Sequence, residues 1–394
     1  MKLKAFSGMP RAGKPLPVDI LFHASERSSL GVEVELQIVD RTSRELRSGA
    51  SAILQRLENG RGEPHPKAKN ELIESNIELI TGICSTVAEA RADLEGTLAE
   101  VVPVAEELGL VLLCAGTHPF SDWAAQDITP DERYLRLVEE VQWPARRMAI
   151  FGIHTHVGVR SAEKAIAIAN ALTGYIPHFL ALSASSPWFE GRDTGLASSR
   201  TKVFEGLPTA GLPQLLGSWE QFQELMTTLI SAKAISSIRE IWWDIRPHPN
   251  FGTVELRICD GIPTMTEIAC VAALAQCLVE WMDSLIDRGY TLPCPKAWIV
   301  GQNKWRAARY GIEAEIIVDE QGTLTPLQGA IADLVEELAP VARRLGCEKE
   351  LDHARRILDH GPSYLRQRRW VDAGGTLVDV VDGLIGELRS DEPG

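Results

Sequence analysis

From Gly31 to Val39 the chain reads Gly-Val-Glu-Val-Glu-Leu-Gln-Ile-Val. Val32, Val34, Leu36 and Ile38 alternate with Glu33, Glu35 and Gln37. Period-two alternation predicts a strand with one apolar face and one acidic face. Glu33 and Glu35 then project from the same side of a sheet, roughly 7 Å apart. Other segments repeat the pattern with different ionisable groups. In Phe151–Val159, Ile153, Thr155, Val157 and Val159 face one way, and His154 and His156 the other. In Thr253–Ile258, Glu255 and Arg257 share a side, and the strand expected over Asn76–Thr81 adds Glu78. A fold built from such strands has one sheet face for a core and one for chemistry.

The remaining punctuation is that of an α+β chain. Residues 1–28 read as an irregular leader, and 29–394 as one domain with a helical C-terminal portion. Residues 58–70 are polar, broken by Gly and Pro, and read as a loop. Thr86-Val-Ala-Glu89 is a capping box opening a helix, with Leu94, Leu98, Val101, Ala105 and Leu108 on one face. Pro103 inside it predicts a kink or a break. Leu110–Ala115 reads as a buried strand, and a helix starts near Ser161. Residues 186–216 form a long aperiodic stretch, which in a compact domain is usually functional or disordered. Ile241–Arg246 and Thr253–Ile258 read as a hairpin around Pro247–Gly252. A long helix follows from Pro263 to Arg288-Gly289. Beyond residue 326 helices are expected near 328–345, 348–360 and 375–388.

Composition narrows the function classes. With 40 Lys and Arg against 54 Asp and Glu the formal charge is −14. That surface disfavours nucleic acid and anionic membranes, and an anionic substrate needs a local basic pocket set against the overall field. The seven cysteines are odd in number and widely spaced, without C-x-x-C, which fits a reducing cytoplasm rather than a disulfide framework or a zinc ribbon. The N-terminal stretch has no apolar core of a signal peptide. No run of 18 apolar residues occurs, which predicts no membrane span.

Carboxylates gathered on one sheet face repel, so their pKa values rise or a cation neutralises them. Hard oxygen ligands with an imidazole suit Mg²⁺, and Mn²⁺ as well. Each pair alone has a plainer reading. An E-x-E strand is most often a solvated edge, E-x-R is usually a surface ion pair, and buried cysteines are small hydrophobes. The chain has no P-loop, no G-x-G-x-x-G, no H-E-x-x-H and no G-x-S-x-G elbow, so nucleotide binding would need another architecture.

Taken in order, the motifs are distinctive: Leu30-Gly-Val-Glu-Val-Glu-Leu-Gln37, Ser75-Asn-Ile-Glu-Leu-Ile-Thr81, Ala115-Gly-Thr-His-Pro-Phe120 and Glu132-Arg-Tyr134. Phe151-Gly-Ile-His-Thr-His-Val-Gly-Val159, Leu182-Ser-Ala-Ser-Ser-Pro-Trp188, Asp193-Thr-Gly-Leu-Ala-Ser-Ser-Arg200 and Trp243-Asp-Ile-Arg-Pro-His-Pro-Asn-Phe-Gly-Thr-Val-Glu-Leu-Arg257 complete the set. Echoes follow at Asn303-Lys-Trp-Arg306 and Ala373-Gly-Gly-Thr-Leu377. The series resembles the type 2 glutamate–cysteine ligase family, in its bacterial carboxylate–amine ligase branch. Thr155 departs from the aliphatic residue more usual between the histidines.

The resemblance implies a glutamine-synthetase-like catalytic domain, a curved antiparallel sheet flanked by helices, binding ATP and Mg²⁺. It implies metal ligation by Glu33, Glu35, Glu78, His154 and Glu255, with His156 beside them. Arg200, Arg246 and Arg257 would face the phosphoryl group and the substrate carboxylate, Arg200 and Arg257 toward ATP. The implied reaction joins a carboxylate, glutamate, to an amine such as cysteine through an acyl phosphate, in a homodimer. Two other readings stand beside it: a metal-dependent amide hydrolase using the same face, and a nucleotide-binding regulatory protein that kept the fold without turnover.

Overall fold

The computed structural model describes residues 19–394. The expected leader therefore lies outside the described residues up to position 18. Residues 19–28 form no helix or strand, yet they are tied down. His23 N–H donates to Pro249 O at 2.9 Å, and Arg27 Nε to Glu280 Oε2 at 2.7 Å.

In chain order the elements are β1 (Leu30–Asp40), α1 (Ala50–Arg61), β2 (Ala68–Asn70), β3 (Asn76–Ile80), α2 (Val87–Glu107), β4 (Leu110–Leu113), α3 (Glu132–Val141), α4 (Trp143–Arg146) and β5 (Gly152–Gly158). There follow α5 (Ala162–Leu172), α6 (Ile176–Ser183), β6 (Trp188–Phe189), β7 (Arg192–Asp193), α7 (Arg200–Phe204), α8 (Trp219–Ser231), β8 (Ile245–His248), β9 (Thr253–Asp260), α9 (Met265–Asp287) and α10 (Ala297–Tyr310). The chain ends with β10 (Glu315–Ile317), β11 (Leu324–Pro326), α11 (Leu327–Leu345), α12 (Glu348–His360), α13 (Ser363–Asp372) and α14 (Leu377–Ser390).

The main sheet is antiparallel, in the order β2-β3-β1-β5-β9-β8, with β4 also pairing β1. β1 is its centre and has the predicted alternation: Val32, Val34, Leu36 and Ile38 are buried, joined by Ile77 and Leu79 of β3, Ile153 and Val157 of β5, and Val254 and Leu256 of β9. One core draws these together with α2, α5, α6, α9 and α11. Fully burying an aliphatic side chain of this size contributes roughly 1.5–3 kcal/mol, which fixes which face of each strand turns inward. The other face is left to the ionisable residues. Ala162–Ser183 and Met265–Asp287 are apolar enough by composition to span a bilayer, but 78% and 83% of their most apolar 18-residue windows is buried inside the protein, so core packing accounts for their composition.

Several local features differ from the sequence expectation. Residues 58–61 finish α1 and 68–70 form β2, so the loop is confined to the middle of 58–70. The capping box at Thr86 and Glu89 is present as read. α2 passes through Pro103 without a break; buried Val101 and Ala105 on either side hold the helix against the core. The strand expected from Ile241 begins at Ile245. Ahead of it, Ile241 and Trp243 pack with Trp219 and Phe222 in a separate cluster. The stretch 186–216 holds β6, β7 and α7. It is ordered by a buried carboxylate: Asp260 accepts from Ser185 N–H, Ser186 Oγ and Ser198 Oγ at 2.6–3.0 Å. α13 was not expected. Its polar sequence folds around Arg366, which is buried between Glu267 and Glu387.

Candidate active site

The polar face of the sheet lines a cavity of about 370 Å³. All nine residues singled out from the sequence border it: Glu33, Glu35, Glu78, His154, His156, Arg200, Arg246, Glu255 and Arg257. Sheet register explains the convergence. Glu35 stands opposite Glu78 across β1 and β3, Glu33 opposite His154 across β1 and β5, His156 opposite Glu255 across β5 and β9, and Arg246 opposite Glu255 across β8 and β9.

The acidic end is a set of like charges. Glu33, Glu78 and His154 offer ligand atoms within 4.8 Å of one another, and so do Glu35, Glu71 and Glu78. Burial pushes Glu35 up to about 7, reinforced by the negative charge of Glu71. Burial likewise raises Glu71, and raises Glu78 well above the carboxylate range, with Glu71, Glu33 and Glu35 adding repulsion. Like charges directly opposed across a sheet destabilise it, and a divalent cation would relieve them. Oxygen donors with one imidazole and no thiolate are the donor set of Mg²⁺ or Mn²⁺, so the residues present fit that ion.

Glu33 behaves differently. Burial opposes its charge, but His154 and His156 overcome this and hold it well below the usual range. His154 Nδ1 is 3.0 Å from Glu33 Oε2 and 3.4 Å from Arg257 Nη1. One ring nitrogen cannot donate to the first and accept from the second at once. Burial, with Arg257 nearby, brings His154 down to about 4, so the ring is neutral at pH 7. The shorter contact to an ionised carboxylate assigns the proton to Nδ1. His156 Nδ1 pairs with Thr253 Oγ1 at 3.0 Å. Its Nε2 lies 3.4 Å from Glu33 Oε1 and 3.9 Å from Glu255 Oε1, without hydrogen-bond geometry to either.

Glu255 sits apart from both carboxylate clusters. Arg246 donates to it through Nε at 2.6 Å and Nη2 at 3.3 Å, and Arg257 Nη1 also bonds it. Burial opposes its charge, but the two guanidiniums prevail and hold it well below the usual range. The family resemblance implies Glu255 as a metal carboxylate. Here two arginines bond its oxygens, and Glu71 joins Glu35 and Glu78 in one of the two carboxylate groups.

A β-bulge sets the basic end. Between Ile153 and Thr155 of β5 the pairing with β9 skips from Cys259 to Leu256, so Arg257 and Ile258 together face His154. Bulges bend a strand and re-aim side chains. Here the bulge turns Arg257 N–H onto Asp244 O, 2.8 Å away, and leaves the carbonyls of Arg257 and Ile258 to Arg200 Nη1 at 3.4 and 3.5 Å. Arg200 is buried, and its guanidinium bonds main-chain carbonyls rather than a carboxylate among the described residues.

The cavity's mouth is built from residues outside the candidate set. Lys69, Arg133 and Arg136 line it and are exposed, forming a basic rim in a chain of net charge −14. Arg133, Arg136, Leu137 and Glu140 follow helical i, i+3, i+4, i+7 spacing, a signal that marks one face of α3. Glu71 left no such signal, because β2 beside it has only three residues.

This antiparallel sheet with one helix-covered face and one face of carboxylates and guanidiniums has the glutamine-synthetase-like ligase fold. A crystal structure of glutamate–cysteine ligase from Francisella tularensis in complex with AMP superposes with TM-score 0.71 at 13% identity, covering 93% of this chain and 90% of that one. A bifunctional glutathione synthetase from Pasteurella multocida superposes with TM-score 0.67 at 15% identity, covering 92% of this chain and 52% of that one. The model of glutamate-cysteine ligase family 2 matches residues 29–382, and the chain belongs to that family. It is 58% identical over 378 residues to the Frankia casuarinae protein named "Putative glutamate--cysteine ligase 2-1", covering 95% of this chain and 99% of that one. It is 52% identical over 375 residues to "Putative glutamate--cysteine ligase 2" of Thermobifida fusca, covering 95% and 94%.

Proposed function

We propose that this chain is an ATP-dependent carboxylate–amine ligase that joins the side-chain carboxylate of glutamate to an amine, with cysteine as one acceptor. One observation carries the reading: carboxylate clusters fit for divalent cations and a set of arginines share one cavity on one sheet face. The reaction transfers the γ-phosphoryl of ATP to the carboxylate, releasing ADP. The amine then attacks the acyl phosphate, forming the amide and releasing phosphate and a proton.

Glu33, Glu35, Glu71, Glu78 and His154 would hold Mg²⁺, which when bound supplies charge neutralisation at the phosphate oxygens. Both reactants are anions, so catalysis is largely a matter of positioning and charge. Lys69, Arg133 and Arg136 at the mouth draw anions inward against the acidic surface. Arg200 brings a buried positive charge that favours the ionised forms of Glu35 and Asp260 and is tied to main-chain carbonyls. Glu255 holds Arg246 and Arg257 in fixed orientation, and Arg257 presents a planar fork suited to phosphate or carboxylate oxygens. Glu33 keeps His154 in one tautomer. No serine or cysteine nucleophile is required.

The test is mass spectrometry of products after incubation with Mg-ATP, glutamate and a panel of amines, with ADP release followed in parallel. A γ-glutamyl product formed together with ADP supports the reading. Amide cleavage without ATP, or tight Mg-ATP binding with no ADP released for any acceptor, rejects it.

A further inference from the structure

Lys304 belongs to the Asn303-Lys-Trp-Arg306 motif, which the site described above leaves without a part. It lies on α10, is 2% exposed, and does not border the cavity. Burying a lone ammonium is costly unless it is paired, and this one is paired twice. Its Nζ lies 2.6 Å from Asp244 Oδ2 and 2.7 Å from Glu205 Oε1.

The two partners lead to different arginines. Asp244 is 1% exposed, and its main chain is held on both sides: its N–H donates to Gly211 O at 2.7 Å, and its carbonyl accepts Arg257 N–H at 2.8 Å. That bond holds the bulge. Arg246 follows two residues on and anchors its Nη1 on Ile241 O at 2.5 Å. Glu205 caps the C-terminal end of α7, whose first residue is Arg200. α10 supports the approach to α7 a second time, since Ala308 O accepts from Ala197 N–H at 2.9 Å and from Ser198 N–H at 3.0 Å. Asn303 in turn fixes α10 through paired 2.8 Å bonds to the main chain of Ile317.

We propose that Lys304 is a positioning residue: its ammonium, clamped between Asp244 and Glu205, sets the mutual placement of Arg200, Arg246 and Arg257 over the site. This rests on the ligase reading for its consequence in catalysis, and on the contacts alone for its structural part. Replacing Lys304 leaves Asp244 buried without its cation. The segment carrying Asp244 then shifts, and the bulge with it. A misplacement of about 1 Å at a reacting centre can cost on the order of 100-fold in rate.

The test uses the full chain with Lys304→Met, Lys304→Arg and Lys304→Met/Asp244→Asn. ADP release gives kcat and the KM for Mg-ATP, thermal melting gives stability, and amide hydrogen exchange reads peptides spanning residues 200–204, 241–246 and 253–260. Lys304→Met is expected to lower kcat about 100-fold with a smaller change in KM, and to speed exchange in all three peptides. Lys304→Arg should restore part of kcat. The double variant removes the stranded charge, so it should regain stability while kcat stays low, and it decides the matter if Lys304→Met does not fold. A folded Lys304→Met or double variant with near-normal kcat, or faster exchange confined to α10, overturns the proposal. If the unmodified chain releases no ADP with any acceptor, the ligase reading fails, and the exchange measurement still decides whether Lys304 holds the arginines.

Discussion

Arg200 crosses the sheet directly over Gly152, filling the space a side chain there would need. A Cβ on residue 152 would stand 2.6 Å from Arg200 Cζ and collide with Nη2. The same glycine donates its N–H to Glu35. Gly152→Ala should therefore displace Arg200 and disturb Glu35. The expected loss in kcat for ADP release is on the order of 100-fold, with a stability loss of about 1–3 kcal/mol from overpacking. Kinetics and thermal melting check both, and unchanged kcat would remove Arg200 from the catalytic set.

Glu78 faces Glu35 across the sheet, and its charge is opposed by burial and by three other carboxylates. Glu78→Gln should leave the metal-free chain as stable as before, or more so, because a neutral amide escapes the cost of burying an acid among other carboxylates. It should also abolish most of the rise in melting temperature that Mg²⁺ produces, and lower Mg-ATP turnover by at least about 100-fold. Melting curves with and without Mg²⁺ separate the two effects. Glu33→Gln is expected to abolish turnover with the fold intact.

The raised carboxyls give a pH dependence with a definite sign. Glu35 moves from an ordinary 4.5 up to about 7 in the folded chain, and Glu71 and Glu78 move the same way. The folded state then binds more protons than the unfolded state across that window. Stability is full below about 4.5 as far as these groups are concerned, and it is lost as pH rises through about 7. In EDTA the melting temperature relative to that of Glu35→Gln should fall as pH rises from about 4.5 to about 7, and Mg²⁺ should raise it more at the upper end. A metal-free stability that climbs relative to that variant over this interval would contradict the carboxylate cluster.

Arg257→Lys keeps the charge beside Glu255 but replaces a planar fork with a point charge. The expected result is a drop in kcat of at least tenfold with little change in melting temperature, since Arg246 still pairs Glu255. Steady-state ADP release is the measurement. A near-normal rate would place Arg257 outside the transferring group.

The elements most legible in the sequence were those with strict periodicity. β1 shows its faces because Val32, Val34, Leu36 and Ile38 must all be buried together, which leaves Glu33 and Glu35 on the other side. α2 shows its start because Thr86 and Glu89 cap it locally. Less legible were segments whose order comes from polar contacts made at a distance. α13 depends on Arg366 meeting Glu267 and Glu387, and residues 186–216 depend on the buried Asp260. Neither leaves a repeat along the chain.

Within the site, the sequence alone determined the chemistry: which side chains carry charge, and which sheet face each must take, because alternation is a local property of the backbone. Pairing of strands distant in the chain decided the rest. Only the register of β1 with β3 and β5 brings Glu78 and His154 to Glu33 and Glu35. Only the bulge in β9 turns Arg257 and its carbonyl toward His154 and Arg200. Only the meeting of α10 with residues 205 and 244 gives Lys304 its two partners. Hydrogen-bond register and buried ion pairs are set by neighbours that folding brings together, so no window of sequence contains them.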